Sequence, residues 1–305
     1  MATIYSIGAP SNFAVATNEL YNIKSEIAEQ IEGQKLAIVS GSNSQQGISC
    51  ELISDITQQS CFNGGSVIPL GTDYLLKRAQ HWLKPGDMVL LPLEYSLYQD
   101  NGQPRQELIE YILNYDHPYF FSVGPVTQLQ LFSGLSLATL MDRVMAKAQH
   151  QVPTAQSSEL VAVRNSLNRY GDNIDNQQEQ MSPQLLEAVE NLTPLKLNGH
   201  QHSTRGMQAI QDFIQWCDQN QIQVIASWPN TVWFEEYSEP PQQEFFRNIK
   251  NFYRQNDIAI VGEPEDFMYD TSMFYDSIYH LHDKGVEVRT KQLIDKLTPY
   301  VAALS

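Results

Sequence analysis

Five short apolar runs punctuate the chain, at 36–39, 66–69, 88–93, 224–227 and 258–261. Each is rich in Val, Ile or Leu and is bounded by turn residues or by an amphipathic stretch. Runs of this kind predict strands covered on both faces, the habit of a parallel sheet. Between them apolar residues recur at helical spacing. This predicts helices over 48–58, 73–83, 104–114, 183–191, 204–220 and 241–255, and a closing helix over 289–304. Lys84-Pro-Gly-Asp87 stops one helix and leads into a strand. The alternation predicts one α/β domain over 1–305, with helices on both faces of the sheet.

Between 115 and 201 the pattern changes. Gln, Asn and Ser become frequent and strand signals fade. This stretch is expected to be an insertion of helices and loops between the third and fourth strands, a candidate lid. Within it 168–175 reads as a turn, and the Gln/Asn-rich 175–180 as a solvated loop.

Composition narrows the function classes. With 305 residues, 42% hydrophobic and 18% charged, the chain reads as a folded globular protein. A net charge of -16 argues against nucleic acid or an anionic membrane surface as partner, because both need a basic face. The three cysteines, Cys50, Cys61 and Cys217, contain no CxxC, and their odd number predicts buried small hydrophobes rather than a disulfide framework. No run reaches the ~18 apolar residues that span a bilayer. The first residues lack a charged segment followed by an apolar one, so no signal peptide is read there. As written the chain reads as soluble, with the extracytoplasmic soluble part of a longer, membrane-anchored bacterial protein as the alternative. No metal or cofactor motif is found.

Two distant segments fit together chemically. One runs from Lys35 through Ser40-Gly-Ser-Asn-Ser44 to Ile48, a buried strand ending in a Gly-Ser turn that opens a helix. The other, from Phe274 to Gly285, places Asp276 and His280 on one loop ahead of the last helix. A serine on a strand-to-helix turn, joined by a late His and Asp, is the layout of a serine hydrolase or acyltransferase. Ser42 is the candidate nucleophile and Ser44 its fallback. His280 is the candidate base, Asp276 its partner, and His282 points elsewhere if the segment is extended. Backbone N–H groups at Ser42 and at Gly65, in Asn63-Gly-Gly-Ser66, are candidate oxyanion donors, with Asn230 as a side-chain donor. Asn63 is placed to fix that loop. Glu94 and Tyr95 end the third strand, where Glu94 either bonds a sugar hydroxyl or holds Ser42 or His280 in place. Trp228 is a candidate ring for stacking on a sugar. Asn63, Glu94, Tyr95 and Trp228 together form the candidate substrate-binding set.

Those blocks, in that order, resemble the SGNH/GDSL-type hydrolases. Ser40-Gly-Ser-Asn43 with Gly47-Ile48, Asn63-Gly-Gly65, the segment 84–95, and 276–285 with Arg289-Thr290 carry the likeness, over about 70 residues in all. The nearest branch is that of bacterial polysaccharide O-acetyltransferases and related cell-envelope acyl-transfer proteins. The resemblance implies a three-layer α/β/α fold with a five-stranded parallel sheet in flavodoxin-like order. It also implies an acyl-enzyme on Ser42, an acylated carbohydrate or acyl donor as substrate, and a membrane-bound acyltransferase as a candidate partner. The chain departs from the family in three ways. The Gly-x-Asn-Asp block is missing, with Glu94-Tyr95 near its place; the spacing is Asp-x-x-x-His; and Ser40 stands for a frequent glycine.

Two other readings compete. A catalytically degenerate member of the fold would bind glycan in an envelope assembly. A flavodoxin-like binder would cradle phosphate on 41–47.

Overall fold

The computed structural model describes residues 10–134, 141, 145, 157–197, 199 and 203–301. The strands are β1 (Leu36–Ile38), β2 (Cys61–Asn63), β3 (Met88–Leu91), β4 (Gln223–Ser227), β5 (Thr231–Val232), β6 (Ile260–Val261), β7 (Met268–Tyr269), β8 (Phe274–Ser277) and β9 (His280–Leu281). The helices are α1 (Asn12–Gln30), α2 (Ser42–Gln45), α3 (Cys50–Thr57), α4 (Thr72–Ala79), α5 (Tyr95–Tyr98), α6 (Gln106–Tyr115), α7 (His117–Ser122), α8 (Pro125–Ser133), α9 (Ser157–Asn165), α10 (Pro183–Glu190), α11 (Arg205–Gln219), α12 (Pro240–Gln255) and α13 (Asp283–Val301).

Five strands form an all-parallel sheet in the order β2-β1-β3-β4-β6. Every residue of β1, β2 and β3 is buried, as the continuous apolar runs require. Helices cover both faces, giving three α/β/α layers. α3 packs with α13, and α4 packs with α11. α1 lies beside α6 and sends Tyr21 into a cluster with Trp82, Tyr111 and Tyr74. α12 reaches α5 through the Tyr98 and Tyr253 hydroxyls, 2.9 Å apart.

Three sequence expectations are corrected. The second strand is Cys61–Asn63, and 66–69 lies in a loop running into a short 3-10 helix at Ile68–Leu70. The second strand is the sheet edge, and the chain beyond it coils instead of extending, with the Gly71 N–H closing the turn on Ile68 O at 2.9 Å. The last helix starts at Asp283 rather than at 289, because His282 opens it: its carbonyl accepts the Val286 N–H at 2.9 Å and its Nδ1 accepts the Gly285 N–H at 3.2 Å. Cys50 and Cys61 form a disulfide, Cα to Cα 5.1 Å, linking the start of α3 to β2. An odd count cannot separate one pair plus a free thiol from three free thiols. Cys217 is the free one, and burial pushes its thiol up to about 12.

The polar middle of the chain supplies α7 to α10, and part of 115–201 lies outside the described residues, as does the expected helix end at 304. α9 packs on α1. The 168–173 turn, closed by a bridge between Leu167 and Asn173, returns to the sheet. No helix among the described residues is long and apolar enough to cross a membrane.

Candidate active site

β1 ends at Ile38, and after Val39, Ser40 and Gly41 the chain turns into α2, with Ser42 as its first residue. The turn thus sits at the carboxyl end of a central strand, where open α/β sheets meet ligands. On the same rim β8 and β9 form an antiparallel hairpin that pairs Ser277 with His280. The hairpin folds Asp276 back onto the imidazole, so the four-residue spacing closes without difficulty. His280 Nδ1 lies 2.6 Å from Asp276 Oδ1, and His280 Nε2 lies 2.8 Å from Ser42 Oγ. The carboxylate only accepts, which assigns the proton to Nδ1 and leaves the Nε2 lone pair for the serine O–H. Burial raises the Asp276 carboxyl, but the hydrogen bond and charge of His280, with help from Ser277, outweigh it and hold the group below the usual range.

The hairpin is fastened from several directions. Leu281 N–H donates to Gln46 O at 3.2 Å, tying it to the end of α2. Asn176 Nδ2 donates to Leu281 O at 2.7 Å, and Asn230 Nδ2 donates to Tyr279 O at 2.7 Å. The Tyr95 N–H donates to the Tyr279 hydroxyl at 3.3 Å.

The other sequence candidates fall into place around this core, mostly behind it. Glu94 is fully buried and is not on a substrate surface. Its Oε2 accepts the Gly41 N–H and its Oε1 the Asn43 N–H, each at 2.9 Å, so it holds the serine turn. Asn63 is also fully buried, with Nδ2 on Ser44 O, Ile48 O and Asp172 Oδ1. Its Oδ1 accepts the Gly65 N–H at 3.1 Å, which engages that oxyanion candidate inside its own loop. Asn230 is fully buried, with Nδ2 donating to Tyr279 O and Oδ1 accepting from Arg289 Nη1, so in the resting site its amide serves the hairpin. Trp228 is 1% exposed, donates Nε1–H to Gly262 O and meets Phe246 edge-on, so it has no face for a sugar. Tyr95 is buried against Phe245 and Phe246. Ser44 is buried, with its hydroxyl on Ser40, whereas the hydroxyl that meets His280 is that of Ser42. His282 does point elsewhere, Nε2 to Ser272 O at 2.9 Å.

Asp172 and Asn173 carried little sequence signal, while Arg289 stood in the last matched block without a role. Asp172, from the polar middle, is buried and accepts the Cys50 and Glu51 N–H groups that open α3, together with Asn63 Nδ2. Asn173 N–H donates to Gln45 O at 2.9 Å. Arg289 is fully buried against Asn43 and Asn230, and burial pulls its guanidinium down to about 10 against the pull of Tyr269, Glu94 and Tyr95. An Arg four residues before Leu293, on the buried stripe of a helix, was a legible anomaly. Among the described residues no group of three or more His, Cys, Asp or Glu converges as metal donors.

No family model matches the chain, and no curated protein matches it. Among solved structures, the crystal structure of the Bacillus subtilis protein YxiM aligns with 90% of this chain and 59% of that one, at 9% identity and a TM-score of 0.40. The chain thus spans about three fifths of that protein's length. A superposition this loose adds nothing to the functional reading, which stands on the site.

Proposed function

We propose that the protein is a serine esterase or O-acyltransferase acting on carbohydrate through an acyl-enzyme on Ser42. The observation that carries this is the continuous relay from Asp276 through His280 to Ser42, at 2.6 and 2.8 Å. Both links fall within the reach that general-base activation of an alcohol requires.

His280 Nε2 takes the Ser42 proton as Oγ bonds to the ester carbonyl carbon, and Asp276 supports the imidazolium. The carbonyl oxygen becomes an oxyanion. As first residue of α2, Ser42 has an N–H with no intrahelical acceptor, and this is the primary donor to the oxyanion. Gly65 N–H adds to it by sharing or leaving Asn63 Oδ1. The imidazolium returns its proton to the departing alcohol, and the acyl group stays on Ser42. Water, or a sugar hydroxyl, then attacks with His280 again as base, releasing acid or a new ester.

The carbohydrate and cell-envelope assignment rests on the resemblance of the sequence blocks. The Cys50–Cys61 disulfide supports an oxidising compartment for the folded chain. The phosphate-cradle reading loses two of its backbone donors, since Glu94 occupies the Gly41 and Asn43 N–H groups, and it leaves Asp276 and His280 without a role. One observation favours the degenerate glycan-binding reading instead: two of three proposed oxyanion donors, Gly65 N–H and the Asn230 amide, have other partners in the resting site. Turnover of a chromogenic acetyl ester decides between the two. The enzyme reading expects turnover that Ser42→Ala abolishes, and a glycan binder shows none in either protein.

A further inference from the structure

We propose that Glu94 and Arg289 form a bracket of opposite charges on Asn43 that holds the Ser42 hydroxyl at His280, an inference that rests on the serine-hydrolase reading. They are positioning residues rather than catalytic ones, since neither touches Oγ.

The argument starts from cost. Both side chains are almost completely buried, Glu94 at 0% and Arg289 at 1% exposure. A buried charge is expensive unless it is paired or fully hydrogen-bonded. Among the described residues no ion pair joins these two or links either to another side chain. Each spends its charge on neutral groups of the serine turn instead. Glu94 accepts the N–H groups of the two residues flanking Ser42, Gly41 and Asn43. Arg289 approaches Asn43 from its acceptor side, with Nη1 on the backbone carbonyl and Nη2 on Oδ1, both at 3.1 Å. The same guanidinium reaches Asn230 Oδ1 and Trp228 O, which anchors it to the end of β4. The Asn43 amide completes the grip through Nδ2 on Pro92 O at 2.9 Å and Ser40 Oγ at 3.2 Å. Asn43 is therefore held at its N–H, its carbonyl and both ends of its side chain.

This explains why the turn needs help. α2 has only four residues, too few to keep a helical shape by its own hydrogen bonds. The bracket also bears on one glycine: a Cβ on Gly41 would stand 2.5 Å from Glu94 Oε1, so the bare backbone there leaves room for the buried carboxylate to come close.

Two substitutions test the bracket. Glu94→Gln keeps the size but turns an NH2 toward one of the two N–H groups. Arg289→Lys keeps the charge but cannot span the acceptors on Asn43, Asn230 and Trp228. Three readouts are needed: circular dichroism for folding, amide hydrogen exchange at Gly41 and Asn43, and kinetics with a fluorophosphonate and p-nitrophenyl acetate. The expected result is exchange faster by about tenfold or more at either amide, with labelling and kcat lower by about 10- to 100-fold and KM within about twofold. Arg289→Lys removes no charge, so it carries the test if Glu94→Gln does not fold. Folded variants with wild-type amide protection and wild-type labelling overturn the bracket. A wild-type protein that resists labelling, yet shows protected amides that the variants lose, instead sinks the hydrolase reading and leaves the bracket standing.

Discussion

His280 Nε2 lies 2.8 Å from Ser42 Oγ, across 238 residues of sequence. The contact exists because a central strand and a late hairpin end on one rim of a parallel sheet. Its consequences reach past the two residues, since the groups that hold them are themselves buried and titratable.

Asp276 fixes the imidazole with its proton on Nδ1. Asp276→Asn leaves an amide that can present a donor to Nδ1 and so favours the wrong tautomer. Steady-state kinetics should show kcat lower by about 10²- to 10⁴-fold with KM little changed. An effect below about threefold would mean that Asp276 does not orient His280.

Trp228 should behave as core. Trp228→Ala is expected to cost about 3–5 kcal/mol in denaturant unfolding. A sugar platform would give the opposite pattern, with stability kept and KM raised.

Lys24 links the fold to pH. Its Nζ is buried and donates to Asn63 O at 2.7 Å and Gly171 O at 2.6 Å. Burial lowers its pKa to about 7, with Asp172 pulling the other way. Above that pH the unfolded lysine holds a proton the folded one has lost, so stability rises as pH increases from about 7 toward the unfolded value of about 10.4. Between about pH 8 and 9 this group contributes a slope that approaches about +1.4 kcal/mol per pH unit. Lys24→Met should remove that slope from unfolding curves, and an unchanged slope would mean that Lys24 is not the group responsible.

The disulfide closes a sequence separation of 11 residues between α3 and β2. Loop-closure entropy for that length gives about 3 kcal/mol. Paired replacement of Cys50 and Cys61 by Ser should lower the unfolding free energy by about that amount, and reductant should do the same to the native protein. Because both sulfurs are buried, the decisive reading is a thiol count on the unfolded, unreduced protein: one free thiol is expected, and three would argue against the bond.

Much of this was legible in the sequence, for reasons that differ by element. Strands β1, β3 and β4 are continuous apolar runs because both their faces are covered, and the pattern marks them plainly. β2 was missed because Cys61-Phe-Asn63 is only three residues long and a stronger apolar run lies just beyond it. α1 was missed because Thr17 and Lys24 interrupt its buried stripe, Lys24 among them as a charge with no sequence mark of its partners. Ser42, Asp276 and His280 stood out because their chemistry depends on residue type. Trp228 and Asn230 were placed on the correct rim but facing outward, and of the two roles read for Glu94 its burial fits the holding one, since a sequence position near a strand end does not say which way a side chain turns. Asp172 and Asn173 gave no signal at all: their roles arise only when a polar turn folds back onto α2 and α3.

The most direct measurement is covalent labelling of the wild-type protein by a fluorophosphonate, with the modified peptide located by mass spectrometry. The account predicts a single adduct on Ser42, lost in Ser42→Ala and slowed by at least about 100-fold in His280→Ala. An adduct on another serine, or labelling of Ser42 that proceeds at full rate without His280, would contradict it.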